Sequence, residues 1–245
     1  ELAAVQLRKL LEARGVRVTG GTRARHAGDP GPQSRAGGGK VVAERFSPTL
    51  IEDMLLTNKL SQNLHAELML RVAAREASGA ETMDDALKFA AQFRERIGLA
   101  PGDVVQNDGS GLSRNSLATP QSIVGVLSYA ARQPWGEAFA ATLPVAGEDG
   151  TLENRMKNTA AAGRVRGKTG TINSASGLSG YATTMNGQRL IFSIFANNNA
   201  GTARDSTTML DTLCVAMVEE LGAEAVTSGR ASAPEPLRKT AGSRP

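Results

Sequence analysis

The stretch RVRGKTGT, Arg164 to Thr171, sets a lysine and a threonine directly behind a glycine. Two unrelated chemistries use that order. A phosphate-binding loop curls successive backbone N–H groups around a phosphate, which takes a glycine, four residues and then Gly-Lys-Ser/Thr. An acyl-transfer site instead lays such a segment along a cleft, where lysine supplies positive potential and backbone N–H groups meet a developing oxyanion. The spacing fails the first test by one residue, because the position that needs glycine holds Ala162 and Gly163 closes a shorter loop. The preceding residues Arg164, Val165 and Arg166 alternate and are basic, whereas a phosphate loop follows a buried apolar strand and opens a helix.

Proton transfer has few carriers here. His26 lies in a Gly/Pro-rich loop, and His65 falls within a helical pattern beside Leu64 and Glu67; both read as packing or surface residues. There is no G-x-S-x-G elbow and no H-E-x-x-H pair, which removes support for Ser-His-Asp chemistry and zinc hydrolysis. Serine chemistry without histidine needs lysine to handle the proton. That requirement joins two stretches, DGSGLSRN (Asp108 to Asn115) and GKTGT (Gly167 to Thr171). Taken alone, the first is a good turn sequence. The one cysteine, Cys214, sits among Met209, Leu210, Leu213, Met217 and Leu221, so it reads as a core thiol, and a single cysteine excludes an intrachain disulfide or a cysteine-based metal cluster.

The elements that must position these residues follow from periodicity. Leu2 to Ala13 repeats at helical spacing with Gly15 as its stop. VRVTG alternates like a strand, Arg23 to Gly39 is a Gly/Pro/Ser-rich loop, and KVVAERF is strand-like. Ser47-Pro48 reads as an N-cap and first helical residue of a helix through Leu56. Further helices are expected over Ser61 to Arg75 and, with Thr82 as cap, Met83 to Ile97. PGDVVQNDGSGLSRNSLATP reads as a turn, a short strand and a polar loop, with Thr119-Pro120 opening a helix that ends before Pro134. From Arg164 the period changes to two: RVRGKTGT, LSGYATTM and QRLIFSIFA read as strands, the last two joined at Asn186-Gly187 by a type I′ turn. Asp205 to Leu221 is a closing amphipathic helix, and from about Thr227 an Ala/Ser/Pro/Arg tail is expected to be disordered. The strand bearing Arg164 and Lys168, charged and glycine-rich, suits a sheet edge. The sum is a layered α/β body with a helical subdomain, over residues 1–226.

Composition agrees with an ordinary globular chain: 245 residues, 40% hydrophobic, 21% charged and a net charge of +4. No 18-residue apolar run occurs, and aromatics at 4% supply little of the base-stacking surface of a single-strand nucleic-acid binder. The opening at Glu1 directly into an amphipathic segment reads as a cut within a longer protein.

The pair DGSGLSRN and GKTGT resembles, in order, the S-x-N and K-T-G motifs of the penicillin-recognising serine acyl transferases. The longer stretches NDGSGLSRNSLATP and LPVAGEDGTLENRM...AAGRVRGKTGTINSASGLSGY resemble the DacB-type D-alanyl-D-alanine carboxypeptidase/endopeptidase family among the low-molecular-mass penicillin-binding proteins. LRKLLEARGVRVTG and SPTLIEDMLLTNKLSQNLHAEL extend the likeness from Leu2 to Leu221. The resemblance implies a β-lactamase/transpeptidase-like fold, an antiparallel sheet flanked by helices, with part of that fold outside this sequence. It implies roles residue by residue. Ser113 would relay a proton to the leaving amine and Asn115 would hold the substrate amide. Lys168 would favour an anionic peptide terminus and support the serine and lysine network. Thr169 would bind that carboxylate, Gly170 would admit substrate backbone, and the Thr171 N–H would be one oxyanion donor. Asn58, Lys59, Ser61 and Asn63 read as scaffold at a helix junction. Arg155 reads as a surface salt bridge, and Trp135 and Tyr181 as core aromatics.

The family's S-x-x-K motif supplies the acylated serine, and no serine here has lysine three residues on. The chain alone is therefore expected not to acylate, either because the nucleophile lies upstream or because this is a pseudoenzyme. The implied substrate is a peptidoglycan stem peptide, with β-lactams as covalent inhibitors, an extracytoplasmic location, and no metal, cofactor or nucleic acid. A non-catalytic cell-wall-binding module and a nucleotide-binding protein remain as alternatives.

Overall fold

The computed structural model describes residues 2–24, 44–198 and 200–224. His26, most of the Gly/Pro loop, Lys40 to Ala43 and the tail lie outside the described residues. The chain divides into two units, Glu1–Ser47 and Pro48–Pro245. In the first, α1 (Leu2–Glu12) ends as expected near Gly15, whose φ of 80° is left-handed. Val16 to Gly20 is irregular instead of a strand. The reason is local: the Arg8 guanidinium donates to the carbonyls of Gly20 (3.0 Å) and Val18 (3.4 Å), which takes acceptors a strand ladder would use. Glu44 to Phe46 likewise has no regular structure.

The second unit opens with α2 (Leu50–Leu60), α3 (Asn63–Ser78) and α4 (Met83–Arg96). The N-cap of α2 is Thr49, two residues later than Ser47: the Glu52 carboxylate accepts from both the Thr49 N–H (2.8 Å) and its hydroxyl (2.7 Å), a reach available only to residue N3. Ser61, expected to open the next helix, is instead the C-cap of α2. Thr82 caps α4 as expected, accepting from the Asp85 N–H at 3.2 Å. A two-stranded ribbon, β1 (Val104–Val105) with β2 (Leu117–Ala118), closes the base of the DGSGLSRN loop. Then come α5 (Pro120–Ala131), capped by Thr119, α6 (Gly136–Thr142), a 3-10 turn at Gly150–Leu152, the antiparallel sheet β3 (Val165–Ile172), β4 (Ala175–Thr183) and β5 (Arg189–Asn197), and α7 (Ala203–Glu224).

The sheet order is β3-β4-β5, so β3 is an edge strand as its composition implied. Period two sorts the side chains of the sheet into two cores. Val165, Leu178, Ala182 and Phe192 pack with Leu210, Cys214 and Val218 of α7, while Tyr181 and Ile191 pack with Leu127, Ala140 and Leu143 of α5, α6 and the residue after it. Burial pushes the Cys214 thiol up to about 12, with the Asp211 carboxylate adding to the shift, so it is an inert core group. Tyr181 is core as expected, its hydroxyl donating to the Leu127 carbonyl at 2.9 Å. Trp135 is half exposed, covering Tyr129 and Phe139 edge-on with one side only. Arg155 pairs with Asp211 (2.7 Å) with both side chains four-fifths buried, so it is an interior clamp on α7 and not a surface bridge.

The β4–β5 hairpin is present, but its turn is not type I′. Gly187 has φ 87° while Asn186 has no positive φ, and Gly187 N–H donates to Thr184 O as Thr184 N–H donates to Gln188 O. That is a three-residue loop, a type I turn closed by a left-handed glycine; the Thr184 hydroxyl, accepting from Gln188 N–H at 3.0 Å, favours it.

Gly167 and Gly180 face each other across β3 and β4. A Cβ at 180 would run into the Arg166 carbonyl and come within 2.7 Å of Gly167 Cα. Both are backbone atoms that cannot swing aside. Gly180→Ala should therefore destabilise the protein by about 1–3 kcal/mol through overpacking, read as a lowered urea midpoint.

Candidate active site

β3 presents its two faces differently. Lys168 pairs with Ser179 and lies on the face of Tyr181, towards α5 and α6, while Thr169 pairs with Leu178 on the α7 face. From there the Lys168 ammonium donates to Ser61 Oγ at 2.8 Å and to the Thr169 carbonyl at 2.8 Å. Burial pushes the Lys168 amine below its ordinary value. Thr169 Oγ1 donates to Thr151 Oγ1 at 2.9 Å, in the 3-10 turn. A Cβ at Gly170 would meet nothing within 4 Å, so the strand is open there.

The backbone of β3 is directional too. Its outer edge is covered at one end, where Gly167 N–H donates to Pro144 O and Val165 O accepts from Ala146 N–H, both at 2.9 Å. Alternation turns the N–H groups of Thr169 and Thr171 to that same outer edge, beyond the covered stretch. This is an edge along which an extended chain could add, its outward N–H groups meeting successive carbonyls of the added strand. KTG lies within a strand and opens no helix, which removes the geometric basis of a phosphate loop.

Ser61 owes its position to a left-handed cap. At φ 57° and ψ 52° it stops α2, its N–H closing on Thr57 O, a conformation that costs a non-glycine residue about 1–2 kcal/mol. Such strain is retained where surrounding structure over-determines it. Two residues on, Asn63 opens α3 and is exposed. Ser61-Gln62-Asn63 thus has S-x-N spacing, and its serine is the one the structure brings to Lys168.

Ser113 and Asn115 stand elsewhere in the hydrogen-bond pattern. Asp108 Oδ2 accepts from Ser110 Oγ (2.7 Å), Leu112 N–H (2.8 Å) and Ser113 N–H (3.0 Å), and Ser113 Oγ accepts from Asn115 N–H at 3.3 Å. Burial works to raise the Asp108 carboxyl, but these bonds outweigh it and hold it below the usual range. Among the described residues every hydrogen bond of Ser113 and Asn115 stays within this loop. The loop docks on α3 through Gly109 N–H to Glu67 Oε2, 2.6 Å, where a Cβ on Gly109 would come 2.9 Å from Glu67 Cα. The sequence reading thus chose the later of two S-x-N triplets. The signal that separates them is placement at a helix junction, because a serine capping a helix end can be aimed at a neighbouring strand.

Lys168 also offers a test by stability. With its folded titration lowered below 10.5 by burial, the unfolded chain holds more protons in the window between the two values. Stability should rise with pH across that window, and Lys168→Met should flatten the rise, as measured by urea midpoints from pH 8 to 10.5.

An antiparallel sheet with helices on both faces is the fold this chain shares with solved penicillin-binding-protein and class A β-lactamase structures. Penicillin-binding protein 4 (DacB) of Haemophilus influenzae, complexed with a β-lactam, superposes with a TM-score of 0.72 at 25% identity, over 86% of this chain and 48% of that one. A class A β-lactamase representative from Bacteroides cellulosilyticus shares the fold, with a TM-score of 0.55 at 18% identity over 71% of this chain and 64% of that one. The particular family follows from sequence: the chain belongs to the D-Ala-D-Ala carboxypeptidase 3 (S13) family, whose model matches residues 1–217. A D-alanyl-D-alanine carboxypeptidase of Actinomadura sp. strain R39 is 38% identical over 196 residues, 78% of this chain and 36% of that protein. The chain therefore spans about a third of that relative's length.

Proposed function

We propose that this chain forms the S-x-N and K-T-G walls of a serine-type D-Ala-D-Ala carboxypeptidase/endopeptidase acting on peptidoglycan stem peptides outside the cytoplasmic membrane. The observation that carries the proposal is the 2.8 Å bond from Lys168 Nζ to Ser61 Oγ, beside an open strand edge. The free serine hydroxyl of an S-x-x-K segment, which these 245 residues do not contain, attacks the carbonyl of the penultimate D-Ala. A serine Oγ–C bond forms, the amide C–N bond breaks, and the proton leaves the nucleophile for the departing D-Ala amine through Ser61. Asn63 holds the substrate amide, the Lys168 ammonium and Thr169 hydroxyl bind the terminal carboxylate, Gly170 leaves room for substrate backbone, and Thr171 N–H is one oxyanion donor. Water then releases the acyl group. In this reading Ser113 and Asn115 organise the Asp108 loop and are not the proton relay. No helix among the described residues is long and apolar enough to cross a membrane.

The test is labelling with a fluorescent penicillin, paired with D-Ala release from a peptide ending in D-Ala-D-Ala. The protein with an S-x-x-K serine in place should show both, and the 245 residues alone should show neither. The lack of S-x-x-K in the sequence favours a second reading, a peptidoglycan-binding pseudoenzyme. Stem-peptide binding with no labelling in the protein as the source organism makes it would establish that instead.

A further inference from the structure

The end of α2 that carries Ser61 is held by more than its packing. Asn58 Nδ2 donates to Thr142 Oγ1 at 2.7 Å. Lys59 Nζ donates to the Leu143 carbonyl at 2.6 Å and to both oxygens of Asp149, at 2.8 and 2.6 Å. The Lys59 side chain is 18% exposed, so the ion pair is partly desolvated on that side. Asp149 Oδ1 also accepts the Val145 N–H at 2.8 Å. Val145 sits in the segment that lies along β3 through the Pro144 and Ala146 hydrogen bonds. One residue beyond Asp149 the chain enters the 3-10 turn whose Thr151 meets Thr169.

A single carboxylate thus ties together the helix end bearing Ser61, the segment covering the edge of β3, and the turn that touches Thr169. Gly150, next to Asp149, shows how close the approach is: its φ is 57°, and a Cβ there would come 2.8 Å from the Lys59 carbonyl and 3.2 Å from Lys59 Cα. The close approach and the left-handed backbone both require glycine.

We infer that Lys59 and Asp149 form a positioning pair that sets the distance between Ser61 and Lys168, and so governs the acylation step without touching substrate. The inference rests on the active-site reading above and adds to it two residues that do no chemistry themselves. The Ser61–Lys168 bond joins a helix cap to a sheet edge, and its length depends on how α2 is seated against the 142–152 segment. Releasing the ion pair lets the helix end shift, and misplacement of a reacting group by about 1 Å costs on the order of 100-fold in rate.

The experiment is carried out in the protein with its nucleophilic S-x-x-K serine present, measuring the maximal acylation rate by fluorescent penicillin and the apparent affinity of the encounter complex separately. Lys59→Met and Asp149→Asn should each lower the maximal rate by about 10- to 100-fold with affinity little changed. The double variant should be no slower than the slower single, as residues acting as one unit are not additive. Lys59→Arg, which keeps the ion pair, should recover most of the rate. Asp149→Glu keeps the charge and should fold, as checked by circular dichroism, yet it moves the turn by one methylene and should still slow acylation. Wild-type rates in Asp149→Glu and Lys59→Met, or a loss confined to affinity, would overturn the positioning role. A Lys168→Ala control that acylates at the wild-type rate would overturn the active-site reading beneath it, so the two failures are distinguishable.

Discussion

Lys168→Ala should lower the rate of acylation by about 10²- to 10⁴-fold, the range over which positioned proton-handling groups act. That corresponds to about 3–5 kcal/mol of transition-state stabilisation. The expectation follows from geometry first: the ammonium bonds Ser61 Oγ at 2.8 Å and projects from an edge strand that is open at Gly170. It follows from electrostatics second. Among the described residues no carboxylate pairs with Lys168, so its charge is free to act on an anionic peptide terminus. Because burial lowers its titration below 10.5, a reaction that needs the ammonium should fail on the alkaline side with a midpoint below that of an ordinary lysine. Lys168→Arg keeps the charge but replaces a compact ammonium by a planar fork, and should recover little. A pH–rate profile of wild type and both variants checks all three statements.

Ser61→Ala should cost a similar factor, about 10² or more, whereas Ser113→Ala should change the acylation rate by less than about threefold. Alanine suits this comparison because it bears the same left-handed backbone cost at position 61 as serine does, so the cap persists and only the hydroxyl is lost. At position 113 the loop is held chiefly by Asp108 accepting backbone N–H groups, which alanine preserves; only the Asn115 N–H loses its 3.3 Å acceptor. The two variants, assayed side by side with fluorescent penicillin, decide which S-x-N triplet serves the reaction. Equal losses in both, or a loss in Ser113→Ala alone, would return the role to the DGSGLSRN loop.

Much of the fold was legible from local chemistry. The change from helical spacing to period two at Arg164, the Thr82 and Thr119-Pro120 caps, and the charge and glycine content of β3 each act within a few residues, and each was realised. Errors arose where a local signal had a competitor. Ser47-Pro48 lost to Thr49 because Glu52 could reach only the latter. Asn186-Gly187 lost its type I′ turn because Thr184 offered its hydroxyl and enlarged the loop. Val16 to Gly20 lost its strand because Arg8, a helical turn and more away, took its carbonyls.

By itself the sequence determined the chemical inventory: lysine and threonine on a glycine-bearing strand, only two histidines, no S-x-x-K, and a pattern of helices around three strands. Those are matters of residue type and near-neighbour spacing. Which serine meets Lys168 was decided only by tertiary structure. Ser61 and Lys168 are 107 residues apart, and their meeting depends on a left-handed cap, a half-buried ion pair 90 residues in span from Lys59 to Asp149, and a strand edge covered at one end and open at the other. Two S-x-N triplets are equivalent as strings. They differ because one ends a helix seated against the sheet and the other closes a loop upon its own aspartate.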